Sequence, residues 1–99
     1  MEIQQGAVLK AEKIKDPVFF ASKNFFNQSG EIIGCPILGE STESPLHIYV
    51  EMDENKGYIQ CEQMKMLDLR VRGYKIIDRV KMADVINVTD AIRSIFDYI

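Results

Sequence analysis

GYIQCEQMKMLDLRVRG, Gly57 to Gly73, is the stretch around which the chain is organised. Tyr58-Ile59-Gln60-Cys61 is short and β-prone, enclosed by Gly57 and the acidic Glu62, and reads as a strand. The segment then turns polar with no breaker residue, carrying Glu62, Gln63, Lys65, Asp68, Arg70 and Arg72, the densest set of hydrogen-bonding side chains in the protein. Residues two apart on an extended chain share a side, so Arg70 and Arg72 are expected on one face. Two guanidinium forks side by side suit phosphate or carboxylate. The alternative is structural: Arg70 and Arg72 pair with Glu62 and Asp68 and tie a loop down.

Upstream of this stretch the chain reads as short strands separated by turn signals. Gly6–Glu12 is a first strand, and Pro17 forbids a helix across the Lys13–Asp16 segment before a second, apolar strand at Val18–Ser22. Asn27-Gln28-Ser29-Gly30 is a turn by composition. The run Glu31–Leu38 is a third strand that tolerates Pro36 near its end or at an edge. Residues 39–45 form a loop. Leu46–Glu51 then alternates with period two, which places Leu46, Ile48 and Val50 inward and His47, Tyr49 and Glu51 outward.

Asp53–Gly57 is a polar hairpin connection, and Tyr74–Val80 is the last strand. The period then becomes helical: Val85, Val88, Ile92, Ile95 and Ile99 recur at three and four from about Met82 to Tyr98. Six or seven short strands and one C-terminal α-helix predict a mainly β protein, a small barrel closed or nearly so. There are no internal repeats and no linker, so residues 1–99 are expected to form a single domain.

Composition narrows the function classes. Of 99 residues, 46% are hydrophobic and 27% charged, as in an ordinary folded soluble domain. No run approaches the roughly 18 apolar residues of a membrane span, and the first residues carry no secretory signal, so a cytoplasmic home without membrane contact is expected. Cys35 and Cys61 are expected as buried thiols. Two cysteines and a single histidine make no zinc spacing, and nothing in the sequence calls for a metal or cofactor. The net charge of −3 weighs against a generally basic, nucleic-acid-coating protein and leaves room only for a local basic patch.

Three blocks, taken together, resemble the MazF/PemK/Kid family of toxin–antitoxin modules, within the wider CcdB-like barrel superfamily. Ser22-Lys23-Asn24-Phe25-Phe26-Asn27-Gln28-Ser29-Gly30 is similar to the family's S-N-D-x-x-N-x-S-G turn. Cys35-Pro36-Ile37 is similar to its C-P-I-T strand, followed at the right distance by Pro45-Leu46-His47-Ile48. Gly57 through Cys61-Glu62-Gln63 to Leu67-Asp68-Leu69-Arg70-Val71-Arg72 resembles its G…C-D-Q-x-x-x-L-D-x-R-x-R segment in order and spacing. The resemblance implies an SH3-like barrel, a homodimer, a cognate antitoxin that wraps it, and metal-free cleavage of single-stranded RNA. In that reaction the 2′-hydroxyl attacks the adjacent phosphate, which calls for a proton acceptor, a proton donor and a cation.

The departures fall on the catalytic positions. Where the family has an arginine before the proline of its second strand, this chain has Asp16, and the threonine of C-P-I-T falls on Leu38. The family's long Gly-rich loop shrinks here to Glu12–Asp16. Within the resemblance, the groups left to carry the chemistry are Glu62 and His47 as catalytic candidates, and Arg70, Arg72, Gln63 and Lys65 as RNA- or phosphate-binding candidates. His47 is the single side chain here that titrates near neutrality unperturbed. The alternative function is a non-catalytic binding protein on the same barrel, holding an antitoxin, an RNA or another protein. The gyrase-directed relatives end in Trp-Gly-Ile; this chain ends Phe96-Asp97-Tyr98-Ile99.

Overall fold

A computed structural model describes residues 4–24, 28–42 and 44–96. Seven strands form one antiparallel sheet: β1 (Ala7–Ala11), β2 (Val18–Phe20), β3 (Glu31–Leu38), β4 (His47–Glu51), β5 (Lys56–Gln60), β6 (Lys65–Asp68) and β7 (Tyr74–Arg79). A single helix longer than one turn follows among the described residues, α1 (Met82–Ile95). The order across the sheet is β4-β5-β3-β2-β1-β7, with β6 also pairing β3. A bridge between Met52 and Val80, just past the ends of the two outer strands, curls the sheet into a half-barrel, where a small barrel closed or nearly so was expected. Among the described residues no helix is long and apolar enough to cross a membrane.

Apolar runs rather than clean alternation mark β1 and β2 because both faces are buried. Val8 and Phe19 enter one cluster with Ile37, Ile59, Val80, Val85 and Val88, under the helix. Their neighbours Leu9 and Phe20 enter a second with Ile32, Leu67 and Leu69, on the opposite face. Val85 and Val88 pin α1 to the first cluster, and burying a side chain of that size contributes roughly 1.5–3 kcal/mol. The helix ends at Ile95, earlier than the periodicity predicts; Tyr98 and Ile99 lie outside the described residues, as do Phe25, Phe26 and Asn27 of the first resemblance block.

The organising stretch runs antiparallel along β3, but it breaks twice where an unbroken extended chain was expected. Ile37 faces Ile59, whereas Gly34 faces Lys65, so three steps along β3 are matched by six along the partner. The excess is taken up by a 3₁₀ turn, Cys61–Gln63, between β5 and β6. After Asp68 the chain turns again, so Arg70 and Arg72 lie in a turn and not on a strand. The premise that spacing alone puts both guanidinium groups on one strand face is therefore corrected. Gly57 lets β5 lie against β3, since a Cβ there would sit 2.7 Å from Ile37 and 2.8 Å from the Leu38 carbonyl.

Candidate functional site

A groove of about 300 Å³ opens between the β1–β2 loop and the face of β3 and β6. Its apolar floor is Ile14, Val18, Pro36 and Leu67, and its polar wall is Lys13, Lys15, Asp16, Gln63 and Lys65. Gly34 also lines the groove, and a Cβ there would sit 2.4 Å from the Val18 side chain. The loop is a tight one: Lys13 takes a left-handed φ of 64°, and Lys10 Nζ donates to the carbonyls of Ile14, at 3.4 Å, and Lys15. The Lys15 backbone is thereby fixed while its own side chain stays exposed. Three ammonium groups against one carboxylate give this groove a positive wall on an acidic protein.

Of the residues singled out from the sequence, Gln63 and Lys65 line this groove. Gln63 does so because the 3₁₀ turn lifts it out of the ladder. Glu62, its neighbour in that turn, meets His47 at the start of β4, with Oε2 2.8 Å from Nε2. The other ring nitrogen, Nδ1, is 3.1 Å from the Thr42 carbonyl and 3.4 Å from Ser41 Oγ. An acceptor therefore faces each nitrogen, which favours the doubly protonated ring. The hydrogen bond to Glu62, then that to Thr42, raises the His47 pKa, and the same bond to His47 holds Glu62 below its ordinary range. The orienting partner that the sequence did not reveal for His47 is thus Glu62.

Arg70 and Arg72 are otherwise engaged. Arg70 closes its fork on Asp68, with Nε–Oδ1 and Nη2–Oδ2 both 2.9 Å, and Glu31 stands 4.0 Å from Nη2. Hydrogen bonds from Arg70 pull the Asp68 pKa down. Arg72 donates from Nη1 to the Glu12 carbonyl at 2.9 Å, and the Glu12 carboxylate accepts from the Gly73 amide at 2.8 Å. These two bonds clasp the β6–β7 turn to the end of β1; of the structural alternative, the Arg70–Asp68 pair is present, while Glu62 pairs with His47.

Asp16, in the place of the resemblance's arginine, lines the groove. Leu38 is half-buried at the end of β3 opposite Tyr58 and brings no hydroxyl. Cys35 and Cys61 are fully buried free thiols; burial first, then nearby charge, pushes Cys35 up to about 12 and Cys61 to about 11, so neither is a nucleophile near neutrality. Among the described residues no three His, Cys, Asp or Glu side chains gather as a metal site would require. Lys13 and Lys15 were missed from the sequence. Their signal was the KIK triplet beside Pro17, where two lysines and a proline-fixed turn point a basic pair at whatever the loop covers.

Comparison with known proteins adds the following. A profile of the family described as PemK-like, MazF-like toxin of type II toxin–antitoxin system matches residues 7–96. No relative of curated function matches the chain by sequence. Among solved structures, a MazE–MazF complex from Deinococcus radiodurans superposes with TM-score 0.85 at 14% identity, covering 97% of each chain. An endoribonuclease in complex with its cognate antitoxin, from a mycobacterial species, gives 0.82 at 14% identity over 95% of this chain and 94% of that one. An endoribonuclease without antitoxin, also mycobacterial, gives 0.80 at 16% identity over 97% and 92%. At such identities the superpositions speak for the fold.

Proposed function

The chain belongs to the PemK-like, MazF-like toxin family of type II toxin–antitoxin systems, and on that premise we propose that it is a growth-inhibiting endoribonuclease that takes single-stranded RNA in the lysine-walled groove. The observation that carries this reading is the groove itself: Lys13, Lys15 and Lys65 face an apolar floor of Ile14, Val18, Pro36 and Leu67. Ammonium groups neutralise a phosphodiester, and an apolar floor accepts ribose and base faces. Duplex recognition needs a broader basic surface than an acidic protein of this size offers.

The reaction is attack of the 2′-oxygen on phosphorus with departure of the 5′-oxygen, giving a 2′,3′-cyclic phosphate and a 5′-hydroxyl. The lysines stabilise charge on the non-bridging oxygens, the role the resemblance gives to an arginine. The 2′-hydroxyl gives its proton to a solvent water as its oxygen attacks, and a proton must reach the departing 5′-oxygen. His47 is the group proposed to deliver it, and Glu62, one residue from the groove-lining Gln63, keeps the ring charged and oriented. Arg70 and Arg72, engaged by Asp68 and by the Glu12 carbonyl, take no part in this scheme. We further propose one domain over residues 1–99, a cytoplasmic homodimer, and a cognate antitoxin as protein partner.

A second reading has a specific observation in its favour: Asp16 and Leu38 replace a cation and a hydroxyl, which suits a protein that binds RNA without cutting it. Purified chain, freed of antitoxin, incubated with a long mixed-sequence RNA without added metal from about pH 5 to 9, decides between them. Cleavage leaving 5′-hydroxyl ends, lost in His47→Gln and Glu62→Gln, supports the nuclease. Intact RNA that is retained by the wild type and released by the triple substitution of Lys13, Lys15 and Lys65 to alanine supports binding alone. Folded protein that neither cuts nor retains RNA sinks both.

A further inference from the structure

The Asp16–Pro17 ridge borders a second hollow, of about 240 Å³, on its far side, and we infer that this hollow is a base subsite that selects guanine, an inference that rests on single-stranded RNA being the ligand of the adjacent groove. Asp16 lines both hollows, so a strand lying in the lysine-walled groove reaches the second one by crossing this residue.

The second hollow is built differently from the first. Its floor is Val8, Ile37, Met52 and Ile77, aliphatic and thioether side chains that take the flat face of a base. Its rim carries Asp16, Asn55 and Lys56. Among the described residues the Asp16 carboxylate has no hydrogen-bond or ion-pair partner. Asn55 donates from Nδ2 to the buried Asp78 at 2.6 Å, which fixes its amide, and its side-chain carbonyl accepts from no described residue. Gly39 leaves the mouth open, since a Cβ there would meet nothing within 4 Å.

Two unsatisfied acceptors and one ammonium donor define the ligand. A base seated here must offer adjacent donors to a carboxylate and an acceptor to Lys56. Guanine does both: N1–H and the N2 amino group lie side by side for a bidentate contact, and O6 and N7 accept. Adenine and cytosine would each present a ring-nitrogen lone pair beside their amino group, and that lone pair would oppose the carboxylate. Uracil offers one N–H flanked by two carbonyls. A phosphate is repelled by Asp16, so a strand crossing the ridge presents a base there rather than its backbone. The position where the resemblance expects a cation for chemistry thus becomes, in this chain, a reader of sequence.

The test uses dye-labelled 2′-O-methyl uridine heptamers, which cannot be cut, with a central guanine, inosine, adenine or cytosine, read by fluorescence anisotropy. Wild type should bind the guanine heptamer about tenfold or more tighter than the adenine one, in keeping with the discrimination of a bidentate base contact. Inosine, which lacks the N2 amino group, should fall between them. Asp16→Asn, a change at a half-exposed residue without described partners, should level the series. Equal affinities in a wild type that does bind these RNAs would overturn the subsite and leave the groove reading standing. A guanine preference that survives Asp16→Asn would overturn it as well. Failure of folded wild type to bind any heptamer would overturn the subsite and the RNA reading together.

Discussion

The hairpin of β4 and β5 is clasped by a carboxylate at each end, and the two clasps work by different physics. At the turn end, Asp78 of β7 is only 8% exposed. It accepts the backbone amides of Asp53 and Glu54 at 3.0 and 3.1 Å, the Asn55 side chain at 2.6 Å and its neighbour Arg79's amide at 2.8 Å. Burial pushes its pKa up, but these four donors outweigh burial and hold it below the usual carboxylate range. At the open end, the more exposed Glu62 holds His47, a partner that titrates. A carboxylate satisfied by amide donors is a fixed fastening, whereas one satisfied by an imidazole is adjustable by pH and by ligands. The adjustable clasp includes Glu62, the sequence neighbour of the groove-lining Gln63.

The largest expected effect comes from breaking the fixed clasp. Asp78→Ala strands several N–H donors and should lower the free energy of unfolding by about 3 kcal/mol, measured by urea titration with an unchanged slope. A loss below about 1 kcal/mol would mean water replaces the carboxylate at little cost, and the contrast with Glu62 would collapse. Asp78→Asn keeps one acceptor oxygen and should cost about 1 kcal/mol.

The adjustable clasp should show itself in a pH profile. His47 has a raised folded-state pKa, so its contribution is complete below its unfolded value of 6.5 and fades as pH rises through the raised value. Glu62 has a lowered one, so its contribution is complete above its unfolded value of 4.5 and fades as pH falls through the lowered value. The pair is therefore strongest between 4.5 and 6.5. Melting curves of wild type and His47→Gln should differ most at about pH 6 and converge toward about pH 9. A difference that grows with pH would contradict the pairing. The smallest effect is expected at Arg70→Ala: both its partners are solvent-accessible, and no shift of the unfolding midpoint should be resolved.

Several features were legible from residues alone. The period-two stretch of β4 placed Val50 inside and Tyr49 and Glu51 outside, as found. The change to a three-and-four spacing located the start of α1 at Met82. The bounds of β3, Glu31–Leu38, follow from a run of β-prone residues between Gly30 and Gly39. The 3₁₀ turn was not legible, because Cys61–Gln63 contains neither glycine nor proline and every residue in it tolerates an extended backbone. What bends the chain there is the need to pair first one half and then the other of the same strand β3.

The candidate site divides along the same line. Gln63 and Lys65 stand out in the sequence as polar residues after a strand, and both line the groove. Lys13 and Lys15 reach the same groove from a loop about 50 residues earlier, brought there when β1 and β2 pair beside β3. His47 and Glu62 are 15 residues apart and meet because β4 and β5 are antiparallel neighbours, with His47 opposite Gln60 at the end of the ladder.

The sequence by itself determined the element types, the apolar faces and the family resemblance, because these rest on local periodicity and on the chemistry of single side chains. Only the tertiary structure decided which charges are spent on one another and which remain for a ligand. Glu62 was committed to His47 and Arg72 to the Glu12 carbonyl, while Asp16 and three lysines were left facing open grooves. A charge's partner is set by distances of a few ångströms between segments remote along the chain, and no spacing within the sequence encodes those distances.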